Sequence, residues 1–181
     1  GLAAPKSGAF ATPLGNIALD TAALARLTDL PQVVFSDHAH AQEHSLEVHL
    51  PFLQRVLDDF TLVPLAVGHA TPRDVAEVLD LLWGGPETLI VISSDLSHFL
   101  PYAAATQVDR DTCAHILQLD THIRPEQACG AYPINGLLLA ARRRGLAPQL
   151  IHRCNSGDTA GDRQRVVGYA AFAFHEAADH D

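Results

Sequence analysis

The chain has 181 residues, of which 48% are apolar, so it is long and apolar enough for one domain with a buried core. Twelve Lys and Arg stand against 21 Asp and Glu, which gives a net charge of −9 with histidine neutral. This balance argues against nucleic acid or an anionic membrane as the main partner, because both favour a basic surface.

The first third of the chain combines a loop with two helical patterns and one strand. Residues 1–16 are rich in Gly, Pro and small side chains and are expected to form a loop. A short helix over 21–27, capped by Asp20 or Thr21, precedes a strand over 32–36. Leucines then recur at helical spacing over 43–60, where Pro51 predicts either a kink or the first helical turn.

The middle of the chain alternates strands and helices. A buried strand is expected over 61–68, and Thr71-Pro72 then begins a helix that runs to about residue 83. The run TLIVIS at 88–93 is apolar up to its last residue, which is typical of a central strand covered on both faces. Helices over 103–119 and 133–144 follow, the second with arginines in its last turn and Gly145 as its cap.

Two last strands, over 148–153 and 166–174, complete an alternation that predicts an α/β domain. We find no internal repeat and no linker, so residues 1–181 are expected to form a single domain. No apolar run is long enough to span a bilayer and no signal peptide opens the chain, so a cytoplasmic location is predicted. The three cysteines are widely spaced, which predicts no disulfide framework.

The polar cluster Ser93–His98 directly follows the apolar run and is the first candidate site. Ligands gather at the carboxyl ends of strands in α/β sheets, which favours this position. Asp95 and His98 are three residues apart, so the carboxylate can orient the imidazole and raise its basicity for general-base catalysis. The structural alternative, a capping Asp and a surface His, has about the same weight.

A second cluster surrounds His44. If this segment is helical, His40, His44 and Glu47 share one face, and Glu43 lies one turn before Glu47. The spacing is not that of the H-E-x-x-H zinc motif. A solvated helix start with acidic residues near its positive end explains this pattern at least as well.

The third candidate is Cys129, which lies just before the helix that contains Pro133. Free backbone N–H groups at that position favour a thiolate, which can attack a substrate or bind a metal. Free cysteine is also a common small buried residue, and the residues alone favour that interpretation. The polar loop 155–162 either lines a site or forms a turn, and it lacks the lysine of a phosphate-binding loop.

Taken together, these segments resemble the Memo family, which includes the bacterial proteins called AmmeMemoRadiSam system protein B. The resemblance runs in order along almost the whole chain. It is carried by ATPLGNIALD at 11–20, EHSLEVHLPFL at 43–53, ISSDLSHF at 92–99, ACGAYPINGLL at 128–138, NSGDTAGD at 155–162 and VVGYAAFAF at 166–174.

The resemblance implies a three-layer α/β domain, with a mostly parallel or mixed central sheet flanked by helices, similar to the protocatechuate-type (LigB-like) extradiol dioxygenases. It also implies a pocket in which two histidines and one cysteine bind iron(II) or copper. Cys129 corresponds to the cysteine ligand and His98 to the acid–base histidine of the dioxygenases. Asp95 accompanies His98, and His44 with Glu43 belongs to another wall of the pocket.

The ligand histidines of the family lie in A-P-H-A-G-Y and G-P-S-H motifs, neither of which occurs in this chain. We therefore expect both ligand histidines, and the first strands of the domain, in a segment upstream of Gly1. Fewer ligands weaken metal affinity.

Two functions follow from the resemblance. One is a non-haem iron or copper oxidoreductase, similar to a dioxygenase, that acts on a small molecule. The alternative is a non-catalytic metal-binding or scaffold protein that recognises a peptide, or a radical-enzyme or AMMECR-type partner protein of the AmmeMemoRadiSam system.

Overall fold

The structure, a computed structural model, describes residues 1–159 and 161–177. It confirms the α/β class, with mixed and antiparallel sheets. The strands are β1 (Leu2–Ala4), β2 (Ala9–Thr12), β3 (Gly15–Ala18), β4 (Val33–Phe35), β5 (Ala66–Val67), β6 (His98–Leu100), β7 (Leu146–Asn155) and β8 (Val166–Glu176). The helices are α1 (Thr21–Ala25), α2 (Asp37–His40), α3 (Leu50–Val56), α4 (Pro72–Leu82), α5 (Tyr102–Leu117) and α6 (Ala131–Arg144).

The chain divides into two compact units. The first contains residues 1–70 and 80–93, and the described part of the second contains residues 71–79, 94–159 and 161–177. That residues 1–181 form a single domain stays a prediction. Among the described residues, no helix is both long and apolar enough to cross a membrane.

In the first unit, β1 lies between β4, to which it is parallel, and β5, to which it is antiparallel. A separate hairpin joins β2 and β3. The loop prediction for residues 1–16 is therefore wrong. Small and apolar side chains in this segment fit a sheet as well as a loop, and β1 is fully buried between its two neighbours.

The strand prediction for residues 88–93 is also wrong. No strand forms there, and Leu89 and Val91 are 64% and 46% exposed. A strand requires neighbours that take up its backbone hydrogen bonds, and in the described part of the chain none pairs with this segment. Of the strand expected over 61–68, only the two residues of β5 and an isolated bridge between Leu62 and Leu19 form.

Helix ends follow the sequence more closely. The Asp20 side chain accepts a hydrogen bond from the Ala23 N–H at the start of α1. Pro51 lies in the first turn of α3 and does not kink it, which confirms one of the two alternatives. Gly145 ends α6 with φ of +66°, the left-handed conformation that a helix cap commonly uses.

The second unit contains the antiparallel sheet β6-β8-β7, and α5 and α6 contribute to its core. The buried members of this core are Leu96, Cys113, Ile116, Ile123, Ala128, Ala131 and Leu138. Because Leu96 belongs to this core, its burial fixes the backbone of the polar segment Ser93–His98. The pairing of β6 with β8 shifts its register between His98 and Leu100.

Candidate metal centre

The segment that carries Asp95 and His98 is held by β8 and α5. The Leu96 N–H donates to the Gly168 carbonyl at 2.8 Å, and the Gly168 N–H donates to the Ser97 carbonyl at 2.9 Å. The Ser97 N–H donates to Oδ1 of Asp109 at 3.0 Å. Asp109 is only 2% exposed, so a buried carboxyl group fixes the backbone between the two candidate residues.

Gly168 allows this arrangement because it has no side chain. A Cβ atom at this position would lie 1.9 Å from Oδ2 of Asp109, far inside van der Waals contact. The glycine in the sequence VVGYAAFAF therefore gives the Asp109 carboxyl group the room to reach Ser97.

Cys129 lies next to Asp95 although the two are separated by 34 residues. The Asp95 N–H donates to Sγ of Cys129 at 3.2 Å, and the Cys129 N–H donates to the Asp95 carbonyl at 3.3 Å. The Ser94 hydroxyl group donates to the Asp95 carbonyl at 2.6 Å and accepts the Gly130 N–H at 2.8 Å. Its oxygen is also 3.7 Å from Sγ. These contacts hold the start of α6 against Asp95.

Asp95, His98 and Cys129 form a group whose donor atoms, one from each residue, all lie within 4.8 Å of one another. Nε2 of His98 is 3.7 Å from Oδ2 of Asp95. That distance is too long for a hydrogen bond, so the two groups form an ion pair when the imidazole is protonated. Bonds of about 2.0–2.1 Å in a tetrahedral metal site place nitrogen and oxygen ligands about 3.4 Å apart. The observed separation is close to that value.

The donor set consists of one sulfur, one nitrogen and one oxygen atom, which fits a transition metal ion better than calcium or magnesium. All three side chains are partly or largely exposed, so an ion and a further ligand can reach them. The group therefore fits a metal ion in both chemistry and spacing.

His44, the fourth residue predicted for the site, belongs to the first unit. It lies between α2 and α3, and its Nδ1 is 2.7 Å from Oε1 of Glu47, at an exposed position. The neighbouring Glu43 carboxylate accepts the Ser45 N–H, which lowers the pKa of Glu43. The structure thus brings Asp95, His98 and Cys129 together, and it places His44 with Glu47.

Tyr169 is a site neighbour that the sequence did not reveal. It is 40% exposed on β8, and its pKa is raised by burial, by the Asp95 carboxylate and by Cys154, in that order. In the sequence, the one feature that could have indicated Tyr169 was its position in a strand whose side chains alternate between two faces. Asp109 was also missed; its one signal was a charged residue at a position of α5 that the fold buries.

Known proteins are similar to this chain over most of its length. The family model described as Memo-like protein matches residues 1–173. A MEMO1 family protein of Sulfolobus acidocaldarius is 34% identical over 182 residues, which cover 92% of this chain and 64% of the relative. A MEMO1 family protein of Saccharolobus islandicus is 35% identical with the same coverage. One of Desulfurococcus amylolyticus is 32% identical and covers 93% of this chain and 64% of the relative.

The chain thus spans 64% of the length of these curated relatives. The match includes Asp95, His98 and Cys129 and the residues that hydrogen-bond to their backbone. On both grounds, the family model and the identity to its relatives, the chain belongs to the Memo family.

Proposed function

We propose that Asp95, His98 and Cys129 bind one transition metal ion, iron(II) or copper. The observation that carries this proposal is the convergence of a thiol, an imidazole and a carboxyl group from two distant segments of the second unit. A thiolate ligand favours copper and iron over hard cations such as magnesium. Three protein ligands leave a tetrahedral ion one open position for water, oxygen or a substrate.

The backbone around the group supports metal binding. The Asp95 N–H donates a hydrogen bond to Sγ of Cys129, and this contact holds the sulfur atom beside Asp95. The Ser94 hydroxyl group holds the Gly130 N–H and so fixes the backbone beside the cysteine. A bound iron or copper ion would supply redox chemistry with molecular oxygen, and the proposed reaction is oxidation of a small molecule.

His98 has a second candidate role that follows from its contact with Asp95. If Nε2 is not a metal ligand, it can take a proton from a substrate, and the Asp95 carboxylate 3.7 Å away then stabilises the imidazolium. Replacing His98 by alanine separates the two roles. Loss of metal affinity identifies a ligand, whereas retained affinity with loss of turnover identifies a proton carrier.

The redox proposal is tested by anaerobic loading with iron(II) or copper(I), followed by oxygen uptake with catechol as the probe. Uptake above that of the same concentration of free metal supports an oxidoreductase. If one metal equivalent is bound but no uptake exceeds the free metal, the redox proposal is rejected and the chain is a metal-binding protein without this activity. If no metal is bound, both candidates fail.

Cys154→Ser is the matched control for Cys129→Ser in these measurements. Both cysteines are free and at least partly accessible, but only Cys129 belongs to the group of donor atoms within 4.8 Å. The proposal predicts that the Cys129 variant loses the bound equivalent and that the Cys154 variant keeps it.

A further inference from the structure

His49 and Ser93 form a contact in the first unit that the metal centre does not use. Nε2 of His49 lies 2.9 Å from Oγ of Ser93, at a half-buried position, although the two residues are 44 positions apart. In the imidazole tautomer that carries its proton on Nδ1, the serine hydroxyl group donates to Nε2. A serine hydroxyl group that donates to an imidazole is the arrangement of a nucleophile and its general base.

The start of α3 fixes the position of His49. The His49 N–H donates to the Leu46 carbonyl at 3.1 Å, and the His49 carbonyl accepts the Leu53 N–H at 3.1 Å. The next residue, Leu50, is buried, and Pro51 restricts the backbone of the first helical turn. The imidazole therefore extends from a constrained backbone, which keeps a base within reach of the group that it deprotonates.

His49 forms a pair with Ser93 rather than a triad. Among the described residues, no Asp or Glu carboxylate lies within 4 Å of His49, and its Nδ1 has no hydrogen-bond partner. A base without an orienting carboxylate is slower than the histidine of a complete Ser-His-Asp triad. Such a pair suits esters better than peptide bonds, because an alcohol is a better leaving group than an amine.

The backbone N–H of Ser93 is available to stabilise an oxyanion. Residues 89–93 form no strand, and in the part of the chain that the structure describes the Ser93 N–H donates to no acceptor. The N–H of the nucleophile itself is one of the donors to the developing oxyanion in serine hydrolases. The hydroxyl group of the next residue, Ser94, instead donates to the Asp95 carbonyl. Ser93 is therefore the serine of this segment that combines a base with a free N–H group.

Apolar side chains precede Ser93 along the chain. Leu89 and Val91 are exposed, whereas Ile90 and Ile92 are half-buried, so alternate residues of this segment present apolar surface to solvent. Val91 is two residues from Ser93, so their Cα atoms are at most about 7 Å apart. A short apolar acyl chain can therefore pack on Val91 while its carbonyl group lies at Ser93.

We infer that Ser93 and His49 are a nucleophile–base pair that hydrolyses esters of short apolar carboxylic acids. Oγ of Ser93 forms a bond to the ester carbonyl carbon, and Nε2 of His49 takes the hydroxyl proton. The bond from that carbon to the alcohol oxygen then breaks, and the alcohol leaves with the proton. Water attacks the acyl-serine, with His49 again as the base, and this step releases the carboxylic acid and restores the serine hydroxyl group. No metal takes part, so the inference goes beyond the proposed function and is independent of it.

The test is labelling of the full chain with a fluorophosphonate in the presence of a chelator, followed by peptide mapping with mass spectrometry. Oγ of an activated serine displaces fluoride from phosphorus, and the phosphonate stays bound. We expect one label per chain, on the peptide that contains Ser93, and none in Ser93→Ala or in the urea-unfolded chain. His49→Gln keeps a side chain that can hydrogen-bond to Ser93 but is no base, so labelling should slow at least about hundredfold. The control His38→Gln, at an exposed position of α2, should leave the rate unchanged.

The acyl preference is measured as the hydrolysis of para-nitrophenyl acetate and para-nitrophenyl butyrate. The rate that remains in Ser93→Ala, to which exposed thiols contribute, is subtracted. The two additional methylene groups of butyrate should raise kcat/KM about three- to tenfold, because they are only partly buried on the protein. The double variant Leu89→Ser, Val91→Ser should remove this preference.

Three labelling results would overturn the nucleophile–base pair. They are the absence of a label, a label on any other residue, and equal labelling rates in His49→Gln and the unaltered chain. Equal kcat/KM values for the two esters would overturn the choice of apolar acyl groups. Because the chelator is present throughout, these results do not depend on the metal centre, and the two proposals can fail separately.

Discussion

The contact between Asp109 and Gly168 predicts a strongly non-additive pair of substitutions. Asp109→Ala leaves the buried Ser97 N–H without its acceptor, which costs about 1–3 kcal/mol of unfolding free energy. Gly168→Ala places a Cβ atom 1.9 Å from the Asp109 carboxyl oxygen. The overpacking should cost about 1–3 kcal/mol, or more if β8 cannot move.

In the double variant the added methyl group occupies space that the carboxyl group has vacated. The loss should therefore be smaller than the sum of the two single losses, by at least about 1 kcal/mol. Urea unfolding followed by circular dichroism measures all four proteins of the cycle. Additive losses would refute the view that Gly168 is required by the Asp109 carboxyl group.

Two more predictions concern the second unit. In Gly136→Ala the new Cβ atom would lie 2.2 Å from the Val75 side chain, so we expect the unfolding free energy to fall by about 1–3 kcal/mol despite the better helix propensity of alanine. The additional substitution Val75→Ala should restore part of this loss, as measured by urea unfolding. An unchanged stability of Gly136→Ala would contradict the close packing of Gly136 on Val75. The pKa of Asp158 is lowered chiefly by the hydrogen bond from the Tyr102 hydroxyl group, so Tyr102→Phe should raise that pKa towards its ordinary value in a carboxyl NMR titration. Because the folded-state pKa is depressed, Asp158 adds stability above its unfolded-state pKa and loses that contribution as the pH falls through the folded value. The variant should lose less stability on acidification, and an identical acid profile would count against the contact.

Elements whose signals are local could be predicted from the sequence. The caps of α1 and α6 follow from Asp20 and Gly145, which act within one turn of their helices. The strand prediction for residues 88–93 was wrong because strand propensity is only half of what a strand requires. The other half is a neighbouring strand, which the local sequence does not specify.

The candidate site divides in the same way. Asp95 and His98 are three residues apart, so their proximity could be argued from the chain itself. The proximity of Cys129 to them could be predicted only from the family resemblance, because no spacing rule connects residues 34 positions apart. Asp109 could not be assigned a role, since it acts through a backbone N–H.

A cobalt(II) titration of the full chain tests the metal centre most directly, because a thiolate ligand gives cobalt a charge-transfer absorption that nitrogen and oxygen ligands do not. The account predicts that this absorption grows with added cobalt and saturates at one equivalent. It should be absent in Cys129→Ser, weakened in Asp95→Ala and unchanged in Cys154→Ser. An absorption that survives in Cys129→Ser, or none in the unaltered protein, would contradict a metal centre built on Asp95, His98 and Cys129.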